Sequence, residues 1–194
     1  RESPSLLTRA ETEKLLERLK SENAGIVDEL VPDILSYSDI QKILQGLLRE
    51  KVSIRNLQQI LEVLVDAGKT VKDTEELIEQ VRKRLGPAIC QNYIDGDGKL
   101  NVMVLDAEVE RDFASALRQD ATQKRLIVEP ALAEKVLTRL VSQAESMIQS
   151  NINPVLLTAP ELRRHIRRFT ERILPQMVVL SMAEIPHSID VKSL

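Results

Sequence analysis

The hydrophobic period of this chain first changes close to Tyr93, and that change constrains the fold more than any single motif. Before it, apolar residues recur three and four apart. Ile40, Ile43, Leu44, Leu47 and Leu48 share one helical face, and Ile54, Leu57, Ile60, Leu61, Leu64 and Val65 share another. After it, Asp95-Gly96-Asp97-Gly98 marks a turn, and Leu100, Val102 and Val104 alternate with Asn101 and Met103, the two-residue period of a strand. The chain therefore reads as α+β: an all-helical module over residues 1–92, then a small α/β module over 93–194 with a mixed sheet of about four strands.

Local signals place the elements. Thr8-Arg9-Ala10-Glu11 fits a capping box, a hydroxyl for the third helical amide and a carboxylate returning the bond. Pro32 stops a short apolar stretch, and Ser38-Asp39-Ile40-Gln41 reads as the next helix start. Lys51-Val52-Ser53 breaks that helix, with Ser53 expected to cap the one that follows as far as Gly68; another runs from Asp73 through Leu85. In the second half, helices are expected at 107–118, 130–149 and 159–174, and strands at 126–128, 154–157, 176–180 and 189–192.

Composition narrows the functions. The chain has no Trp, two Tyr and two Phe, so the core is aliphatic and too few rings exist for a platform that stacks bases or sugars. Its 27 basic and 30 acidic residues leave a formal charge of −3, which opposes nucleic acid or anionic lipid as partners. One cysteine, Cys90, forms no internal disulfide and fits a reducing compartment; with only two histidines beside it, a closed zinc site of Cys and His ligands is ruled out. Apolar runs such as Met177 to Leu180 are strand-sized, far short of the ~20 residues that span a bilayer. The opening at Arg1 without an initiator Met reads as a fragment of a longer parent.

Motifs of chemistry are sparse. An EF-hand loop with Gly98 in its glycine slot needs an acid where Tyr93 stands and a Glu where Val104 stands, so the Asp-Gly run is a hairpin turn. Cys90, beside Ile89, is a small hydrophobe at a helix end rather than a nucleophile paired with His165 or His187. Neither a GxGxxG nor a GxxxxGK[ST] phosphate loop occurs. The most unusual composition is the run from Leu162 to Arg172. Leu162, Ile166, Phe169 and Ile173 are expected to form its buried stripe, while Arg163, Arg164, Arg167 and Arg168 occupy other faces. Those arginines read either as a solvated face or as a docking patch for an acidic partner or a neighbouring subunit. The corner Glu50 to Leu57 reads as a tight helix–helix turn with Lys51 and Arg55 exposed.

Several of these segments recur in the FlhA family in order and spacing. Leu6-Leu7-Thr8-Arg9, Leu30-Val31-Pro32, Ile43-Leu44-Gln45-Gly46-Leu47-Leu48 and Val52-Ser53-Ile54-Arg55-Asn56-Leu57 with Ile60-Leu61-Glu62 resemble it in the first half. Pro154-Val155-Leu156-Leu157, Leu162-Arg163, Leu174-Pro175, Val179-Leu180-Ser181 and Glu184-Ile185-Pro186 resemble its C-terminal end. This family comprises the large inner-membrane export-gate proteins of flagella and their relatives in virulence type III secretion. The resemblance implies a parent with a transmembrane N-terminal part and a cytosolic portion of four subdomains, of which this chain is the third and fourth. It further implies a nonameric ring beneath the gate, and export substrates, their chaperones and other apparatus proteins, including the export ATPase complex, as partners. No cofactor, metal site, enzymatic activity, nucleic-acid binding or membrane contact by this segment is implied. Because helical-subdomain contacts help build the family's ring, Lys51, Arg55 and Asn56 are candidates for an inter-subunit corner. Asn153-Pro154 continues as Val155-Leu156, so the self-cleavage of a sister gate protein is not implied. Glu184-Ile185-Pro186 leans towards a flagellar system, with a virulence homologue as the alternative. A small α/β hydrolase-like enzyme and a helical nucleic-acid binder are the rivals from other classes; neither finds a cluster of catalytic residues or a global basic charge.

Overall fold

The structure, a computed structural model, describes residues 7–119 and 126–194. It divides into two compact units, the first ending at Leu85 and the second beginning at Gly86. The break falls seven residues before the change of period, because the short helix Gly86–Gln91 packs with the α/β unit.

Five helices make the first unit: α1 (Arg9–Glu22), α2 (Ala24–Leu30), α3 (Tyr37–Arg49), α4 (Leu57–Ala67) and α5 (Thr74–Arg84). The box at Thr8 forms as the residues dictate, with the Glu11 amide donating to Thr8 Oγ1 (3.1 Å) and the Thr8 amide to Glu11 Oε2 (2.7 Å). The next box uses Ser36 with Asp39, not Ser38, so α3 starts earlier than its Ser-Asp-Ile-Gln signal suggests. Likewise Asn56, not Ser53, caps α4: its Oδ1 accepts from the Gln59 amide, while Ser53 Oγ accepts from the Arg55 amide in the turn before it. The apolar stripes meet in one core, where Ile40, Ile43, Leu44, Leu47, Ile60, Leu61 and Leu64 are fully buried. Gly46 lets α3 approach α5 closely, since a Cβ there would fall on the Cδ1 methyl of Ile78.

The second unit runs α6 (Gly86–Gln91), β1 (Lys99–Val104), α7 (Ala107–Gln119), α8 (Pro130–Gln149), β2 (Val155–Thr158), α9 (Arg163–Thr170), β3 (Val178–Ser181) and β4 (Asp190–Ser193). Its sheet has the order β3-β2-β1-β4, with Met103 beside Leu156, Leu156 beside Val179 and Val102 beside Ser193. All the pairings are parallel, which corrects the expected mixed sheet. The eight residues 182–189 can stretch to ~26 Å, more than the ~19 Å diagonal made by three strand spacings (~14 Å) and the length of a four-residue strand (~13 Å). The inner strands β1 and β2 are buried along nearly their whole length, as parallel strands covered on both faces should be, whereas β4 is exposed throughout. Helices α7, α8 and α9 contribute Phe113, Leu140, Met147 and Ile166 to the core, and the Phe113 and Phe169 rings meet edge to face at 5.7 Å.

Two expected elements differ. Residues 126–128 form no strand: Leu126 and Val128 pack against the core and Ile127 is 64% exposed, so burial alternates without a neighbouring strand to bond. The expected helix at 159–174 is reduced to α9. The Ala159 amide is taken by Glu110 Oε1 (3.0 Å), Thr158 ends β2, and the Leu174 amide closes a turn onto the Thr170 carbonyl (2.8 Å). Ile173 accordingly leaves the stripe and stands 53% exposed.

Candidate functional site

The two basic segments singled out in the sequence have opposite fates. In α9, Arg163 is not on the surface. Its side chain is 1% exposed, Nη1 donates to the Val179 carbonyl (3.1 Å), and Nε lies 3.7 Å from Glu184 Oε1. Glu184, 2% exposed, accepts from the Ser181 amide through the same oxygen (3.0 Å). Beneath it Cys90 Sγ meets the Glu184 carbonyl at 3.6 Å, and Gly86 abuts the same peptide. Arg163 and Glu184 therefore fasten the turn after β3 to α9 and α6. Arg167 Nη1 donates to the Met177 carbonyl (2.7 Å), and half-buried Arg164 sits beside buried His165, its Nε 3.4 Å from the ring nitrogen Nε2. Of the four arginines only Arg168 is exposed, which corrects the expectation of a continuous basic patch. The sequence carried a signal: Arg163 is three residues before Ile166 and seven before Thr170, on the face that is buried.

At the corner between α3 and α4 the charges remain outward. The Val52 amide reaches back to the Leu47 carbonyl (2.9 Å) and the Lys51 amide to that of Leu48 (2.9 Å), the paired bonds of a Schellman ending. This ending needs a left-handed residue, and Lys51 supplies it at φ 60°, where glycine is usual. Asn151 does the same after α8 at φ 58°. Below the corner, Arg82 of α5, 2% exposed, pairs with Glu50 Oε2 at 3.4 Å, a contact the sequence reading missed. Its signal was spacing, since Arg82 lies four residues after Ile78 and three before Leu85 on the apolar face. Lys51, Arg55 and Asn56 are all exposed. Asn56 is engaged as the α4 cap, but the side chains of Lys51 and Arg55 have no hydrogen-bond or ion-pair partner among the described residues.

The turn Asp95-Gly96-Asp97-Gly98 is structural. Asp95 accepts from the amides of Asp97 and Lys99 and from Asn101 Nδ2, each at 2.9 Å, Gly98 takes φ 76°, and Ile94 bridges Leu100. The Lys99 amide first, then Asn101, hold the Asp95 carboxyl below its ordinary pKa. Among the described residues no group of three or more His, Cys, Asp or Glu could hold a metal ion, and no helix is long and apolar enough to cross a membrane.

A description of the FHIPEP family matches residues 1–190. The chain belongs to the FHIPEP family. Within that family it is similar to the flagellar biosynthesis protein FlhA of Bacillus subtilis (34% identical over 97% of this chain and 28% of that protein). Solved structures share its fold. One is the nonameric EscV cytosolic domain from the type III secretion system (29% identical, TM-score 0.81, 99% of this chain and 56% of that one). Another is the Chlamydia pneumoniae CdsV in complex with CdsO (26% identical, TM-score 0.86, 99% and 55%). The chain thus spans about a quarter of the FlhA protein and just over half of each of these two solved chains.

Proposed function

We propose that this chain is part of the cytoplasmic platform of a bacterial protein-export gate, a ring that receives export substrates and their chaperones for passage across the inner membrane. The observation carrying the reading is the family match over residues 1–190, supported by a fold shared with a nonameric relative. The helical unit corresponds to the third and the α/β unit to the fourth cytosolic subdomain of the parent. The chain works by holding partners rather than by turning over a substrate. Its partners are further copies of itself, chaperone-bound cargo, and other apparatus proteins including the ATPase complex; the similar Chlamydia pneumoniae CdsV is itself solved in complex with another protein, CdsO. The flagellar relative favours a flagellar system, and the type III secretion neighbour keeps a virulence homologue as the second reading. Arg168 on α9 and Lys51, Arg55 and Asn56 at the α3–α4 corner are the partner-facing groups.

Pull-down of export chaperones by the intact cytosolic region of the parent, repeated with this chain, tests the assignment. Capture by the intact region is expected; no capture of any export chaperone or substrate by either would refute it.

A further inference from the structure

Helix α8 is apolar around more of its circumference than its own unit buries. Val136, Leu140, Ala144 and Met147 recur at helical spacing and lie in the core. Ala133, Leu137 and Val141, each four residues after the last, form a second line beside that one, and they are only half-buried. Ile148, seven residues further along the same side, is 44% exposed. The second line walls an open groove of roughly 610 Å³ that begins at Pro130 and faces Ile173, the residue that left the α9 stripe. The step from Pro130 to Val141 gives the groove a length of about 16 Å.

The chemistry of the walls selects the occupant. The α8 backbone is bonded within its own helix, and the Ile173 amide is taken by the Thr170 carbonyl (3.2 Å). An extended segment would find no ladder for its amides here, whereas a helix arrives with its own bonds satisfied. The lining is almost wholly apolar, which gives a small polar ligand too few groups to orient it. Charge then sets the sign. Glu134 and Glu145 stand about three turns apart along the outer lip, exposed and without a hydrogen-bond or ion-pair partner among the described residues. The cations of α8 lie elsewhere: Arg139 pairs with Asp106 at 3.3 Å, and Lys135 is turned about 100° on from Glu134. On the facing lip Glu171 and Arg172, next to Ile173, cancel.

We propose that this groove seats one amphipathic helix of a protein partner. Its apolar residues at i, i+4, i+7 and i+11 would pack on α8, with lysines or arginines along the side facing Glu134 and Glu145. That spacing matches the second line, so the two helices meet along one apolar seam with one charged flank. The proposal rests on the platform reading above for the partner's being a protein, and names the face it would use.

Fluorescence anisotropy with the whole chain and two labelled synthetic helices of about four turns tests it. Both carry leucine at those four positions; one has lysine along one flank and the other glutamate there. The lysine peptide should bind at least about tenfold more tightly than the glutamate peptide, and added salt should narrow the difference. Ile173→Asp should weaken the lysine peptide at least about tenfold. Ile127→Asp, on an exposed isoleucine outside the groove, should leave it unchanged. Glu134→Lys with Glu145→Lys, surface changes that leave the core untouched, should reverse the preference. Equal binding of the two peptides, binding that survives Ile173→Asp, or no binding of the lysine peptide overturns the proposal. Self-association in sedimentation velocity that Ile173→Asp abolishes makes the occupant a second copy and overturns it too. Chaperone capture by the intact cytosolic region reads the platform separately: where capture persists, these failures fall on the groove alone.

Discussion

Replacing Arg163 by Met separates a structural arginine from a docking one. The substitution keeps the aliphatic stem and removes the guanidinium, so volume changes little and charge changes fully. The losses inside the second unit include the bond to the Val179 carbonyl, the ion pair at 3.7 Å, and the charge that balances a carboxylate only 2% exposed. Removing one partner of a buried pair costs about 3–5 kcal/mol, most of it the uncompensated charge left behind. The 3.7 Å separation is too long for a hydrogen bond, which places the expected loss near the lower end, about 3 kcal/mol. Urea unfolding followed by circular dichroism measures it. Arg168→Ala, on the exposed side of the same helix, should stay within about 0.5 kcal/mol of wild type. Adding Glu184→Gln to the Met variant should recover part of the loss, since the amide still accepts from Ser181 and carries no charge. Equal stabilities for the Arg163 and Arg168 variants would refute the reasoning and return Arg163 to the surface.

Three further outcomes follow from single positions. Lys51→Gly removes a left-handed side chain and should raise the stability of the first unit by about 1 kcal/mol in the same assay; an unchanged or lowered value contradicts the strain assigned to Lys51. Gly86→Ala should destabilise the second unit by about 1–3 kcal/mol, because a Cβ would meet the carbonyl carbon of Glu184 at 2.8 Å and its Cα at 3.0 Å, and backbone yields less readily than a side-chain tip. Asp95 has a lowered folded pKa, so its contribution is present above the ordinary value of 3.8 and is lost as pH falls through the lowered one. An NMR pH titration should show the Asn101 side-chain amide moving with a midpoint below the ordinary 3.8; a midpoint at or above 3.8 contradicts the lowered value.

The elements whose cause is local were legible in the residues. Helix α8 begins at Pro130, a first-turn proline, and ends where Asn151 turns left-handed; both are properties of a few adjacent residues. The Thr8 box and the Asp73 cap are of the same kind. What depends on distant partners was not legible. Residues 126–128 have a strand's alternation, but strands exist only where another strand receives their bonds. Ser53 and Ser38 are good caps in isolation, and Asn56 and Ser36 displaced them because the Schellman ending and the turn after Pro32 fixed where each new helix enters. The candidate site divides along the same line. Exposure of Lys51 and Arg55 follows from their place in a short corner, whereas burial of Arg163 depends on Glu184 and the Val179 carbonyl, some twenty residues downstream on the next strand and its turn.

Native mass spectrometry of the parent's intact cytosolic region tests the central claim most directly, because a ring-forming platform has a defined copy number. The account predicts a dominant closed species of nine copies, as in the nonameric relative. A species that remains monomeric at every concentration, or that closes as a dimer, would contradict it.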